Sequence, residues 1–202
     1  EVVHAFDNTL NIFPMFLARI AGVKVRISES ISKGDKNEKK TLIKYVLRPF
    51  SHWFTNCYMA NSIDCGIWQF GKKTYDKGEV SIFKTVIDAD VNAFDDKLRE
   101  SARKNFGWEN KVVYGFIGRY VSQKNPLFLI DTFNEIAKIQ ENAVLVMIGF
   151  GELENKMCNR IKEYEITDRV MNLGRRDDIK QFYNAFDAFL LPSLYEGMPV
   201  VG

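Results

Sequence analysis

Apolar runs and helical spacings alternate along the second half of the chain. The runs at 112–118 and 143–149 are short and rich in β-branched residues, which is typical of buried parallel strands. A helix is predicted between them, starting at Pro126, with apolar residues at Leu129, Phe133, Ile136 and Ala137. The alternation continues through the helix "ELENKMCNRIKEYEI", the strand "RVMNLG", the helix "DDIKQFYNAF" and a strand at 188–193. This order predicts a parallel, doubly wound sheet.

The first half of the chain alternates in the same way. Strands are predicted at "EVVHAF", "VKVRIS", "CYMANS" and "EVSIF", and helices at "FPMFLARIAG" and "EKKTLIKYVLRPFSHWF". Around 89–110 apolar residues thin out and charges crowd, which indicates a linker and an entry helix. The predicted fold class is therefore α/β, with one domain in 1–88 and a second in 111–202.

Composition narrows the possible partners. The chain has 202 residues and a net charge of +2, so it lacks the basic surplus of nucleic-acid-binding proteins. Its three cysteines, Cys57, Cys65 and Cys158, have no C-x-x-C spacing and are expected to be thiols in a reducing, cytoplasmic compartment. No apolar stretch approaches the roughly 20 residues of a membrane-spanning helix.

Candidate chemistry follows the strands of the second domain. In an open parallel sheet, ligands bind outside the carboxyl ends of the strands. Arg119 and Lys124 follow the first strand, Arg175 follows the third and Glu196 follows the fourth. Cations at a helix N-terminus suit a diphosphate, whereas a carboxylate suits sugar hydroxyls. The expected ligand is therefore a nucleotide-diphosphate sugar.

Other uses of these loops are less consistent with the sequence. In the loop that begins with "GFGE", Glu154 occupies the third glycine position of a dinucleotide fingerprint, so this loop is not expected to bind NAD. No P-loop follows a strand. Taken singly, each cation could be a solvated surface residue, Glu196 a helix cap, and Gly118 and Gly149 ordinary turn residues. Their combination at one edge favours a binding site.

Three stretches of the second half, "IGRYVSQKNPLFLIDTF", "AVLVMIGFGELENKM" and "DAFLLPSLYEGMPVVG", resemble the donor half of the family 4 glycosyltransferases. The closest likeness is to the enzymes of capsular polysaccharide and exopolysaccharide assembly. "EVVHAF", "LARIAGVKVRIS" and "LRPFSHWFTNCYMANS" resemble the first half of the same family. The resemblance implies two Rossmann-like domains in the GT-B arrangement, both incomplete in this chain. It also implies sugar transfer with retention, without a cofactor or a bound metal.

The resemblance assigns roles to individual residues. Arg119 and Lys124 match the pair that binds the donor diphosphate, and Glu196 matches the first glutamate of the E-x7-E motif, which holds the donor sugar. The remaining positions implied to line the donor site are Gly118, Gly149, Arg175, Gly197 and Met198. The implied acceptor is a growing polysaccharide or a lipid-linked saccharide.

The chain also departs from the family pattern. A frequent H-x-H is His4-Ala5-Phe6 here, and a stretch that often carries histidines contains Glu29. His4 is either an acceptor-side residue facing the cleft or a structural histidine. These departures keep open the alternative of a non-catalytic nucleotide-sugar-binding or scaffold protein derived from a transferase. A second alternative is a GT-B-fold nucleotide-sugar epimerase, which would need further acid/base residues facing the donor, and the sequence shows none clearly.

The segment 33–54 has two interpretations. Its basic residues precede the aromatic residues Phe50, Trp53 and Phe54, as at a peripheral membrane surface on the inner face. These basic residues are Lys33, Lys36, Lys39, Lys40, Lys44 and Arg48. Alternatively, Leu42, Val46 and Phe50 belong to the core and the lysines form a solvated face, which is the favoured interpretation.

The ends of the sequence also carry an expectation. The first residues are already in a strand pattern, without an initiator methionine, and the last ones lie inside the E-x7-E motif. We therefore expect an internal part of a longer protein, inactive in transfer by itself.

Overall fold

The computed structural model describes residues 1–33, 41–84 and 86–196. These residues form two compact units. The first contains Glu1–Val86 together with Glu196, and the second contains Ile87–Tyr195. The domain bounds predicted from the sequence stay a prediction. Each unit is built around its own parallel sheet.

The first unit has a four-stranded sheet in the order β1-β2-β3-β4. Its strands are β1 (Val2–Asp7), β2 (Val25–Ser30), β3 (Cys57–Ala60) and β4 (Val80–Ile82), and its helices are α1 (Ile12–Ile20), α2 (Thr41–Leu47), α3 (Ile63–Phe70) and α4 (Lys72–Asp76). Buried Ala60, Cys65, Phe70 and Val80 form the core beneath α3. Near the carboxyl end of β2, the buried Asn11 amide donates to Ser28 Oγ (3.1 Å) and to the Glu29 carbonyl (2.9 Å).

The second unit has a sheet in the order β7-β6-β5-β8. Its strands are β5 (Val112–Ile117), β6 (Ala143–Ile148), β7 (Val170–Asn172) and β8 (Ala188–Phe189), and its helices are α5 (Ala89–Asn92), α6 (Asp96–Phe106), α7 (Pro126–Ile139), α8 (Glu154–Glu163) and α9 (Ile179–Ala185). α7 and α8 supply one hydrophobic cluster, whereas α6 and α9 supply another. Since β6 is buried along its whole length, its sequence is the continuous apolar run from which the strand was predicted.

One carboxylate links the entry helix α6 to the strands of the second sheet. Asp187, just before β8, accepts hydrogen bonds from the Val113 N–H (2.7 Å) and from Arg103 (3.0 Å), and it pairs with Arg99. Partial burial raises the pKa of Asp187, but the Val113 N–H and the two guanidinium groups outweigh that effect, so the pKa lies below its usual value. The ionised carboxylate therefore joins α6, β5 and β8.

Two predicted elements are shorter than expected. The strand predicted at 188–193 ends at Phe189 because Pro192 has no N–H to continue the ladder, although Leu190 N still donates to Gly115 O (2.8 Å). The helix predicted through "EKKTLIKYVLRPFSHWF" ends at Leu47. A 3-10 turn at Arg48–Phe50 follows, because Pro49 cannot extend an α-helix. The start of that stretch, with Lys39 and Lys40, lies outside the described residues, as does Lys36 before it.

The favoured interpretation of 33–54 is wrong for the described part. Leu42 and Val46 are exposed, Phe50 is only half-buried, and Lys44 is the buried residue, at 6% exposure. The apolar side of α2 therefore does not belong to the core of this unit. The helix is oriented by the inward position of Lys44 and by contacts of α2 with the 3-10 turn at Thr9–Asn11.

Candidate functional site

Three loops at the carboxyl edge of the second sheet are joined by backbone hydrogen bonds. The Tyr120 N–H donates to the Phe150 carbonyl (2.9 Å) and the Leu153 N–H donates to the Tyr120 carbonyl (3.0 Å), which ties the loop after β5 to the loop after β6. The Gly149 N–H donates to the Gly174 carbonyl (2.9 Å), which ties in the loop after β7. The three loops therefore form one fixed surface.

Gly149 lets these loops approach each other. It has φ of 151°, and a Cβ there would lie 1.9 Å from the Gly118 carbonyl oxygen. A Cβ on Gly151 would lie 2.5 Å from the Tyr120 carbonyl oxygen. Neither position can take a side chain unless the backbone moves. The "GFGE" glycines thus bring the loop after β6 against the loop that carries Arg119.

Side-chain hydrogen bonds join the loop after β5 to β7 and to the start of α8. Tyr120 OH donates to Asn172 Oδ1 (2.9 Å), and Asn172 Nδ2 donates to Glu154 Oε1 (3.0 Å). Burial, followed by the nearby Glu154 and Cys158, raises the pKa of Tyr120, which stays a neutral donor. In the sequence, Glu154 stands out only as a departure from the dinucleotide fingerprint. The structure gives it a partner on β7.

Arg119 and Lys124 both lie in the loop after β5. Arg119 is exposed. Lys124 is half-buried at the end of the 3-10 turn Ser122–Lys124, and a Cβ on Gly118 would lie 3.8 Å from Lys124 Cδ. α7 begins two residues later at Pro126, and the N-terminus of a helix favours an anion. The loop therefore combines two cations with a helix N-terminus.

Arg175 and Arg176 follow β7, but their pairing differs. Arg176 forms an ion pair with Asp178 (2.5 Å) and its guanidinium lies 5.4 Å from the Phe182 ring centroid. The Arg175 side chain is 76% exposed, and its Nε lies 4.0 Å from Asp177 Oδ1. Of the two, Arg175 is the more accessible to an anionic ligand at this edge.

Gln123 connects the loop after β5 to the segment that precedes Glu196. Its side-chain amide donates to the Tyr195 carbonyl (3.1 Å), and its backbone carbonyl accepts from the Leu194 N–H (2.8 Å). Gln123 was not among the predicted site residues, and its position between Arg119 and Lys124 is the hint that the sequence offers.

Glu196 is the last described residue of the chain. It is half-buried, and its contacts assign it to the first unit. Gly197 and Met198, the remaining predicted donor-site residues, lie outside the described residues. The structure thus places Gly118, Arg119, Lys124, Gly149 and Arg175 on one edge of the second unit.

His4 belongs to a polar pair in the first unit. It lies within β1, which continues to Asp7. Its Nε2 lies 2.8 Å from Glu29 Oε2, and the Glu29 side chain is only 11% exposed. The residue that replaces a histidine of the family pattern is therefore the partner of the histidine that remains.

Polar groups also meet at the carboxyl ends of β3 and β4. A pocket there is lined in part by Asn61, Ser62, Asp64 and Lys84. Asn61 is buried, and its Oδ1 has no hydrogen-bond partner in the part of the chain that the structure describes. Lys33 pairs with Asp64 at 2.5 Å. Within the described residues, no group of three or more His, Cys, Asp or Glu could hold a metal ion.

The family follows from a match over the second unit. The family model described as "Glycosyl transferases group 1" matches residues 98–201, which include all three loops. The chain belongs to this family. The resemblance to glycosyltransferases is confirmed.

Two relatives extend the likeness over the whole chain. EpsF of Bacillus subtilis (strain 168), named as a glycosyltransferase, is 27% identical over 205 residues, covering 100% of this chain and 53% of its own length. The UDP-Gal:alpha-D-GlcNAc-diphosphoundecaprenol alpha-1,3-galactosyltransferase of Escherichia coli is 27% identical over 209 residues, covering 99% and 54%. The chain thus spans about half the length of these relatives.

A solved structure confirms the fold class. Anabaena HepE (Alr3699), crystallised in complex with UDP-glucose, matches with a TM-score of 0.79 at 18% identity, over 96% of this chain and 54% of HepE. At this identity the likeness concerns the fold alone. The predicted α/β class with Rossmann-like sheets of GT-B type is confirmed.

No helix among the described residues is long and apolar enough to cross a membrane.

Proposed function

We propose that the protein carrying this chain transfers a sugar from a nucleotide-diphosphate sugar to a growing polysaccharide or a lipid-linked saccharide. The main observation behind this proposal is the fixed loop surface that holds Arg119 and Lys124 just before α7. The segment before Glu196 is anchored to the same loop through Gln123. Two relatives support the proposal by their names, one a galactosyltransferase that uses UDP-Gal.

The roles of the residues follow from charge. Transfer breaks the bond between the anomeric carbon and the diphosphate oxygen, and the electron pair leaves with the diphosphate. Arg119, Lys124 and the N-terminus of α7 stabilise that growing negative charge. Arg175 adds a further cation to the donor edge. Glu196 accepts hydrogen bonds from hydroxyls of the donor sugar, as its match to the first glutamate of the E-x7-E motif implies.

The acceptor hydroxyl bonds to the anomeric carbon as the bond to the diphosphate breaks, and its proton passes to the departing diphosphate oxygen. The polar pocket around Asn61 and the His4–Glu29 pair are the candidate acceptor-side groups of the first unit. We further propose retention of configuration, no metal and no cofactor, and action at the cytoplasmic face of the membrane. These finer points rest on the family resemblance and on the undecaprenol-linked acceptor in the name of the E. coli relative.

The test is to incubate the full-length protein with several nucleotide sugars, with and without saccharide acceptors. Transfer with product NMR reports the anomeric configuration, and EDTA reports any metal requirement. Binding without transfer or donor hydrolysis would favour the scaffold alternative. Conversion of the donor into an isomer would favour the epimerase.

A further inference from the structure

Tyr120 is buried like a core residue although it lies in a loop at the ligand edge of the second sheet. Its exposed fraction is 0%, whereas the preceding Arg119 is exposed. The ring belongs to the hydrophobic cluster that α7 and α8 supply. The hydroxyl of a buried tyrosine needs a hydrogen-bond partner, and here the partner is Asn172, the last residue of β7 (2.9 Å). The residue next to Arg119 is therefore tied to another strand of the sheet.

Every polar group of Tyr120 joins it to a neighbouring part of this edge. Its N–H donates to the Phe150 carbonyl (2.9 Å) and its carbonyl accepts from the Leu153 N–H (3.0 Å), both in the loop after β6. Its hydroxyl donates to Asn172 Oδ1, which also accepts from the Gly174 N–H (3.2 Å) in the loop after β7. The position of Tyr120 is thus set by both neighbouring loops.

Glu154 determines which way the Asn172 amide faces. A carboxylate only accepts hydrogen bonds, so it binds the NH2 group of the amide, and Asn172 Nδ2 donates to Glu154 Oε1 (3.0 Å). The amide oxygen is then turned towards two donors, Tyr120 OH and the Gly174 N–H. Glu154 is the first residue of α8, where a carboxylate also suits the helix N-terminus. The three side chains therefore form a directed series of hydrogen bonds from Tyr120 to Glu154.

We propose that Tyr120, Asn172 and Glu154 are positioning residues of the donor site: their series of hydrogen bonds holds Arg119 where it meets the donor diphosphate. The Arg119 side chain is exposed, so its place depends on the backbone that carries it, and that backbone is fixed at the next residue. A charge that is misplaced by about 1 Å loses much of its effect on the transition state. The inference rests on the proposed function for the role of Arg119, and it adds three residues that act without touching the donor.

Two matched variants separate positioning from stability. Tyr120→Phe keeps the ring and removes the hydrogen bond to Asn172. Tyr114→Phe makes the same change elsewhere in the second unit, because Tyr114 OH donates to Gln140 Oε1, just after α7, also at 2.9 Å. Both variants should therefore lower the free energy of unfolding by similar amounts. Only Tyr120→Phe should lower kcat/KM for nucleotide-sugar hydrolysis by the full-length protein, by about fivefold.

An exchange of polarity between Asn172 and Glu154 tests the series itself. Asn172→Asp places two carboxylates against each other, and kcat/KM should fall at least about fivefold. In the double variant Asn172→Asp/Glu154→Gln, the amide and the carboxylate have changed places, and Tyr120 OH keeps an acceptor. This variant should recover kcat/KM to within about twofold of the wild type. Three results would overturn the proposal: wild-type kcat/KM in Tyr120→Phe, an equal loss in Tyr114→Phe, or no recovery in the double variant.

Nucleotide binding separates this inference from the proposed function. Titration calorimetry with UDP and with GDP needs no turnover, and Tyr120→Phe should raise the Kd of the nucleotide that the wild type binds about threefold, because Arg119 also meets the diphosphate in the bound state. A wild type that binds a nucleotide but neither hydrolyses nor transfers any nucleotide sugar would refute the proposed function alone. The Kd values then decide the inference: weaker binding by Tyr120→Phe than by Tyr114→Phe supports it, and equal Kd values overturn it.

Discussion

The side-chain amide of Gln123 donates a hydrogen bond to the carbonyl oxygen of Tyr195, at 3.1 Å, across 72 positions of sequence. The same residue accepts a backbone hydrogen bond from Leu194 (2.8 Å). Gln123 lies between the two candidate phosphate-binding cations, and Tyr195 directly precedes the candidate sugar-binding glutamate. This pair of bonds therefore sets where Glu196 leaves the second unit.

Gln123→Ala should lower kcat/KM for the donor about fivefold. The loss of one neutral hydrogen bond costs about 1 kcal/mol and frees the segment before Glu196 to move. The matched control is Asn134→Ala on α7, whose side-chain amide donates a hydrogen bond only to the neighbouring Glu135 among the described residues. Steady-state kinetics decide this prediction, and equal kcat/KM values for Gln123→Ala and wild type would contradict it.

Gly149→Ala should destabilise the second unit by about 3 kcal/mol or more and abolish donor binding. Its φ of 151° is unfavourable for alanine, and the new methyl group would lie 1.9 Å from the Gly118 carbonyl oxygen. Gly22→Ala is the matched control. Gly22 has φ of 75°, and no atom of the described residues lies within 4 Å of the place its new methyl group would take, so it should lose only about 1 kcal/mol. Urea denaturation of both variants measures the difference, and similar losses would show that the loops do not need their close approach.

Asp187→Asn should lower the free energy of unfolding by about 1–3 kcal/mol at pH 7, because the two arginines and the Val113 N–H lose their anionic partner. The pKa of Asp187 is lowered in the folded state, so its ionised form stabilises the fold above the unfolded pKa of about 3.9. That stability is lost as the pH falls through the folded pKa. The difference in free energy of unfolding between wild type and variant should therefore narrow below about pH 4.

Denaturation curves of the wild type, Asp187→Asn and the exposed control Asp168→Asn measure this dependence. Asp168 lies in the 3-10 turn Thr167–Arg169. The free energy of unfolding of Asp168→Asn should match that of the wild type both at pH 7 and below pH 4. A gap for Asp187→Asn that stays constant from pH 7 to below pH 4 would mean that the charge of Asp187 is not what stabilises the contact with α6.

Glu196→Gln should lower turnover at least about tenfold and leave the Kd for the nucleoside diphosphate within about twofold, because a charged hydrogen bond to a sugar hydroxyl contributes about 1.5–3 kcal/mol. Titration calorimetry with the nucleoside diphosphate and kinetics with the nucleotide sugar test the two halves. A lower Tm with normal kinetics would instead identify Glu196 as a helix cap.

The order of elements in the second unit was predictable because buried parallel strands and amphipathic helices leave different periods in the sequence. The cations after β5 were predictable for the same reason, since strand ends locate the ligand edge. The outward orientation of α2 was not, because its apolar residues fit a core equally well until the burial of Lys44 is known. Neither were the Gln123–Tyr195 and His4–Glu29 pairs, which join residues far apart in the sequence.

The most direct test of the donor site is kcat/KM for nucleotide-sugar hydrolysis by Arg119→Ala and Lys124→Ala in the full-length protein. Loss of charge stabilisation at the leaving diphosphate should cost each variant about 2–4 kcal/mol, which is about 30- to 1000-fold in kcat/KM. Lys156→Ala, which removes an exposed lysine of α8, should match the wild type, and all three variants should keep its Tm. Wild-type kcat/KM in both Arg119→Ala and Lys124→Ala would contradict the assignment of this loop to the diphosphate.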